Sequence, residues 1–158
     1  MNKKNWKTYV IWIAISNAVG ALSGWLSREG MEIYSKYVQQ PPLAPPSWVF
    51  PVVWVILYTL MGIAVARVIN SGEKIKCKGA VNLFVTQLAV NFFWPLIFFN
   101  AQAYGAALIW LLILWVLVLL TLLRFRSCDK IAGWLLVPYL IWLTFAVYLN
   151  GAVWIINR

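Results

Sequence analysis

Five apolar runs, each roughly 20 residues long and separated by polar links, dominate the pattern of the chain. An α-helix needs about 20 apolar residues to cross the hydrocarbon core of a bilayer. The runs lie at about 9–26, 48–69, 80–100, 102–123 and 132–156. They predict an all-α integral membrane protein, a five-transmembrane-helix bundle forming one domain over residues 1–158. One link is longer than the rest. Residues 27–47 end in Pro41, Pro42, Pro45 and Pro46, which predicts a semi-rigid, polyproline-like cover over one mouth of the bundle. Just before the prolines, Met31, Tyr34, Tyr37 and Val38 share one helical face, the pattern of a short interfacial helix.

Helical spacing shows which side chains meet within each run. Phe50, Trp54 and Tyr58 form one stripe on the second. Phe84, Gln87, Asn91, Trp94 and Phe98 share a face of the third, and Tyr139, Trp142, Phe145, Ala146 and Leu149 a face of the fifth. Lipid cannot satisfy polar side chains, so Gln87, Asn91 and Asn150 are expected to point into the bundle and to carry these faces inward. Trp54, Trp94 and Trp142 lie deep in their runs, whereas membrane proteins usually keep tryptophan at the headgroup belt. An indole offers a flat face and one N–H donor. Together the three faces predict a pocket for a large, flat, hydrophobic molecule. The competing reading is that the amides and indoles only tie helices together, at about 0.6–2 kcal/mol each.

Seven other tryptophans read differently. Trp6, Trp25, Trp48, Trp134 and Trp154 sit near run ends as interfacial anchors, with Trp48 also placed to form a pocket rim. Trp110 and Trp115 are five apart on a nearly all-aliphatic run, and at least one is expected to face lipid or a second subunit. Pro51, Pro95 and Pro138 lie inside runs, where each frees a carbonyl and bends the helix. In the first run Gly20 and Gly24, with Ser16 and Ser23, predict a close-packing helix face. That favours a retained helix over the alternative, a cleaved signal peptide.

Composition agrees with the pattern. Hydrophobic residues make up 63% and charged residues 11%, with a mean hydropathy of +0.80; a soluble domain has about a quarter charged residues. The net charge of +9 does not indicate nucleic acid, because the cations cluster in short loops and no groove-reading motif appears. Ten of them fall on one side: Lys3, Lys4, Lys7, Arg67, Lys74, Lys76, Lys78, Arg124, Arg126 and Lys130. Only Arg28, Lys36 and Arg158 fall on the other. Cytoplasmic loops carry the excess, so the N-terminus is expected in the cytoplasm and the C-terminus outside, in a bacterial cell membrane. The chain has no histidine, which removes the commonest general base and metal ligand. Cys77 and Cys128 fall in basic loops and are expected to be distant, reduced thiols. No metal site and no cofactor is expected.

Three ordered blocks carry a resemblance. They are Pro45-Pro46-Ser47-Trp48-Val49-Phe50-Pro51-Val52-Val53-Trp54 with Leu57-Tyr58 and Met61-Gly62, then Gln87-Leu88-Ala89-Val90-Asn91-Phe92-Phe93-Trp94-Pro95, then Val137-Pro138-Tyr139-Leu140-Ile141-Trp142 with Phe145-Ala146 and Tyr148-Leu149-Asn150. This set resembles the TspO/MBR family of tryptophan-rich sensory proteins, related to the mitochondrial translocator protein. The resemblance covers nearly the whole chain. It implies a five-helix bundle, usually a homodimer, with a pocket beneath the loop joining the first two spans. It also implies a porphyrin ligand such as protoporphyrin IX, with sterols and benzodiazepine-type drugs bound by some members. Some bacterial members are reported to promote light-dependent porphyrin breakdown, which would use the positions matched by Trp54 and Trp142. Asn91 and Trp94 match the third-span lining, and Ala146 matches a pocket position.

Three departures stand out. Leu43 occupies a loop position where the family often has an indole, residues 102–123 contain no acid, and no basic residue follows Tyr148 until Arg158. The sterol-associated pattern needs one within about five residues of its Tyr.

The expected ligand-binding residues are therefore Trp48, Trp54, Tyr58, Asn91, Trp94, Tyr139, Trp142, Phe145 and Ala146. The expected function is a membrane receptor for tetrapyrroles, acting in porphyrin transport, handling or stress signalling. A light-dependent porphyrin-degrading enzyme using Trp54 and Trp142 is the second reading. A passive carrier is the third, since neither an inverted repeat nor an intramembrane carboxylate supports coupled transport.

Overall fold

The computed structural model describes residues 5–158, so Lys3 and Lys4 lie outside the described residues. Seven α-helices follow in order: α1 (Trp6–Leu26), α2 (Arg28–Tyr37), α3 (Val49–Asn70), α4 (Ala80–Pro95), α5 (Tyr104–Cys128), α6 (Lys130–Leu135) and α7 (Val137–Ile156). A π-helical turn, Leu96–Asn100, continues α4. Five stretches are long and apolar enough to span a membrane: α1, α3, α4 with its π turn, α5, and α6 with α7. The protein is thus an all-α, five-span integral membrane protein.

The prolines shape two of the spans. Pro95 has no N–H to bond the carbonyl one turn back, and the chain passes into wider π winding directly after it. Pro138 stands at the start of α7, just beyond a one-residue break at Leu136 that separates α6 from α7. Asp129 starts α6 properly: its side chain accepts the Ala132 N–H at 3.0 Å, a helix cap that typically contributes about 1 kcal/mol.

Packing runs as a ring. α1 lies along α3, α4 lies on α5, α5 on α6 and α7, and α6 returns to α3. Small residues permit the closest approach. Gly62 of α3 sits directly on the α1 backbone at Trp12 and Ile13, and a side chain at Gly20 of α1 would overlap the Tyr58 ring. The expected α1 face therefore forms around Ser16, Gly20 and Ser23. Gly24 is not part of it, having nothing near its missing side chain.

The link after α1 holds the expected short helix, α2, but Tyr37 is 80% exposed and does not share its buried face. Tyr34 does the docking, edge-on to Phe99 at 5.3 Å and tilted on Phe98 at 5.5 Å. Burial, with the nearby Tyr104 phenol adding to it, pushes the Tyr34 phenol up to about 12. The proline segment departs from a continuous polyproline stretch. Leu43 has a φ of 67° and the Ala44 N–H donates to the Pro41 carbonyl at 3.3 Å, so the segment turns back on itself. Tyr148 donates to the Pro42 carbonyl at 2.9 Å, and Asn157 exchanges hydrogen bonds with the Gln39 backbone. The loop is pinned to the end of α7.

The two cysteines depart from expectation as well. They are not distant: Cys77 and Cys128 are joined, with their Cα atoms 5.5 Å apart. The α3–α4 loop and the C-terminus of α5 end on the same face of the bundle, which a count along the sequence does not reveal.

Candidate functional site

Two aromatic surfaces meet where α3 and α7 come apart. At the basic end these spans are clamped. Arg67 of α3 donates to both carboxylate oxygens of Asp129, at 2.8 and 3.2 Å. Desolvation raises the Asp129 carboxyl, but the Arg67 and Ala132 hydrogen bonds outweigh it and hold the group below the usual carboxylate range. Further along, α3 leans on α1 and α7 leans on α5. The space between them is filled by rings, not by backbone contact.

The inner part of that space is a closed polar hub. Tyr58 donates to Asn91 Oδ1 at 2.8 Å, Asn91 Nδ2 donates to the Tyr139 hydroxyl at 2.5 Å, and Tyr139 donates to Gln87 Oε1 at 3.0 Å. All four residues are buried. An unpaired polar group in such a place costs about 1–3 kcal/mol, so the chain of donors and acceptors explains why these groups are tolerated there. The amide spacing on α4 makes it possible: Gln87 and Asn91 are one turn apart on the same face.

The outer part is apolar. A cleft of about 540 Å³ is lined by Val53, Ile56, Leu57, Pro138, Ile141, Trp142 and Phe145, within the roughly 300–1,000 Å³ range of small-molecule sites. Ile141 is 65% exposed, so the cleft opens sideways to the surface that faces lipid. Trp142 meets Phe50 at 5.9 Å and Phe145 at 5.6 Å. Trp54 adjoins the hub, 5.4 Å from the Tyr58 ring and 6.2 Å from Tyr139, and is one residue along α3 from the cleft residue Val53. Both indoles are partly buried against the core.

Their hydrogen bonding sets these tryptophans apart. Among the described residues, indole N–H bonds are made by Trp94 to Asn150 Oδ1 at 3.1 Å, Trp110 to the Val90 carbonyl at 2.8 Å and Trp115 to Thr144 Oγ1 at 2.9 Å. Trp54 and Trp142 make none, nor does Trp12 of α1, whose ring packs edge-on to Phe84 at 6.0 Å away from the seam. Trp110 and Trp115, expected to leave at least one ring for lipid or a second subunit, each tie α5 to a neighbouring span.

The expected site residues thus divide. Trp54, Tyr58, Asn91, Tyr139, Trp142, Phe145 and Ala146 gather at the α3–α7 seam, with Ala146 packed against the core beside Trp142. Trp94 does not join them. Its ring stacks on Phe98 at 5.0 Å and its N–H is engaged by Asn150, in the aromatic cluster beneath α2. Trp48 stands 66% exposed just before α3 and is not among the residues lining the cleft. Gln87, outside the expected binding set, closes the hub, and its one-turn spacing from Asn91 is the sequence signal for it.

Comparison with known proteins agrees with this architecture. The model of the TspO/MBR family matches residues 12–155. The tryptophan-rich protein TspO of Chlorobaculum tepidum is 37% identical over 95% of this chain and 96% of its own length. Protein CrtK of Rhodobacter capsulatus is 40% identical over 76% of each chain. The human translocator protein is 37% identical over 84% of this chain and 79% of its own. A family match across nearly the whole chain, with all five spans in place, establishes that this chain belongs to the TspO/MBR family.

Proposed function

We propose that the chain is a membrane receptor for tetrapyrroles of the protoporphyrin type, taken up from the bilayer into the cleft between α3 and α7. The observation that carries this reading is the pair of unengaged indoles. Trp142 in the apolar cleft and Trp54 beside the hub present flat faces and unengaged N–H donors, whereas the indoles of Trp94, Trp110 and Trp115 are satisfied internally. A planar macrocycle offers what both lack: a π surface to stack on and acceptors for an N–H. The hub of Tyr58, Asn91, Tyr139 and Gln87 acts behind them as a rigid wall that fixes the two aromatic faces.

The lining holds no carboxylate, amine or thiol, which favours binding over acid–base turnover. The orientation belongs to the same proposal, with the basic end in the cytoplasm and the looped end outside.

Titration of purified protein with protoporphyrin IX, read by tryptophan fluorescence in the dark, tests the reading. Saturable quenching is expected, weakened by Trp54→Phe and by Trp142→Phe. Unchanged affinity in the double variant would remove the cleft as the site. Illumination of the bound complex then separates receptor from enzyme, since a defined product lost in Trp54→Phe would establish turnover.

A further inference from the structure

Cys77 lies in the loop between α3 and α4, and Cys128 is the last residue of α5. Fifty-one positions separate them in sequence, yet their Cα atoms stand 5.5 Å apart, inside the roughly 4.4–6.8 Å window in which a disulfide closes without moving the backbone. Both residues are half-buried, so small reagents reach them.

Contacts independent of sulfur hold the two segments together. Arg124 of α5 donates to the Lys78 carbonyl at 2.9 Å, and Arg67 reaches Asp129 immediately after Cys128. The pair therefore stays in register when the sulfurs are not bonded. Lys74, Lys76, Lys78, Arg124, Arg126 and Lys130 all fall within four residues of one cysteine or the other, with Glu73 and the engaged Asp129 the acids in the same stretches. Such a field raises the local concentration of anionic reagents.

We propose that Cys77 and Cys128 form a reversible dithiol–disulfide site that exchanges with anionic, low-molecular-weight disulfides. The site rests on the proposed orientation, which places it in a compartment where thiol pools keep cysteines reduced, so the pair cycles instead of staying permanently closed. It is independent of the tetrapyrrole cleft. In the oxidising direction, one cysteine thiolate attacks the small disulfide, whose S–S bond breaks and releases one thiol. The second cysteine thiolate then attacks the mixed disulfide, forming the protein S–S bond and releasing the second thiol. The dithiol loses two electrons and the small disulfide gains them; the two cysteine protons end on the two released thiols. Closure staples the α3–α4 loop to α5 beside the Arg67–Asp129 clamp.

Alkylation followed by mass measurement of the intact protein, equilibrated with defined ratios of reduced and oxidised glutathione, reads the state directly. Two labels are expected at the reducing end and none at the oxidising end, with a higher melting temperature for the unlabelled form. Cys77→Ser and Cys128→Ser each leave one thiol that takes up a removable glutathione and forms no internal bond. Two labels retained in excess oxidised glutathione would overturn the site, as would a bond that persists in excess reduced glutathione. A membrane-impermeant maleimide, applied to inverted vesicles and to spheroplasts after reduction, tests orientation separately. Labelling from outside alone would overturn cycling in the cytoplasm while leaving the pairing itself standing.

Discussion

The hub around Asn91 and the cleft beside Trp142 share α3 and α7, with α4 added at the hub, yet they differ in what they leave unsatisfied. In the hub each hydroxyl and amide has a partner, from Tyr58 through Asn91 and Tyr139 to Gln87, whose own N–H turns to the Met61 sulfur. At the cleft the Trp142 N–H, and beside it the Trp54 N–H, have no partner among the described residues, and the cleft walls are aliphatic and aromatic carbon. The difference teaches that burial of polar groups does not by itself mark a ligand site in a membrane protein. A satisfied network is structural. An unsatisfied donor beside an open apolar cleft is where a ligand has something to contribute.

The largest effect is expected at the hub. Asn91→Leu removes the shared partner of two buried phenols and should lower stability by about 2–3 kcal/mol, seen as a lower midpoint of thermal or denaturant unfolding in detergent. A variant as stable as the parent would show that the hub does not hold the spans together. The clamp at the closed end of the seam comes next. Asp129→Asn loses the charged partner of Arg67 and should cost about 1.5–3 kcal/mol. Because folding depresses the Asp129 carboxyl, its contribution is present above the ordinary aspartate value of about 3.9 and disappears as pH falls through the lower folded value. Acid unfolding curves of parent and Asp129→Asn should therefore converge at low pH; a gap that persists there would assign the loss to something other than the ionised pair.

The cleft should behave in the opposite way. Trp54→Phe and Trp142→Phe keep an aromatic ring and remove a donor with no protein partner, so melting should change little while protoporphyrin affinity falls about 5–10-fold, roughly 1–1.4 kcal/mol. A stability loss matching that of Asn91→Leu would erase the distinction between the two regions. Trp94→Phe sharpens the contrast with the smallest change. It breaks the bond to Asn150 and should cost about 0.6–1.7 kcal/mol of stability with porphyrin affinity unchanged, checked by the same titration.

Much of this was legible in the residues. Run length and apolarity fix the five spans, and the observed helices differ from the expected ones mainly at their ends. α5 continues to Cys128, and the fifth span is split at Leu136. The one-turn spacing of Gln87 and Asn91 correctly turned that face inward. The same reasoning grouped Trp94 with Trp54 and Trp142 because all three lie deep and share faces with polar neighbours. Periodicity assigns a face but not the partner that face meets. Trp94 meets Asn150 across the bundle and is used up, while Trp54 and Trp142 meet each other's helices across a gap.

The sequence alone therefore determined that this is a five-span helical membrane protein with tryptophan and amide faces turned inward, because a bilayer enforces helix length and penalises exposed polar groups locally. Only the tertiary structure decided which indoles remain free, that Leu43 reverses the proline loop, and that Cys77 and Cys128 are neighbours. Each of these depends on contacts between segments far apart in the chain. Such contacts are set by how glycine-lined backbones approach and where helices diverge, and no local pattern records them.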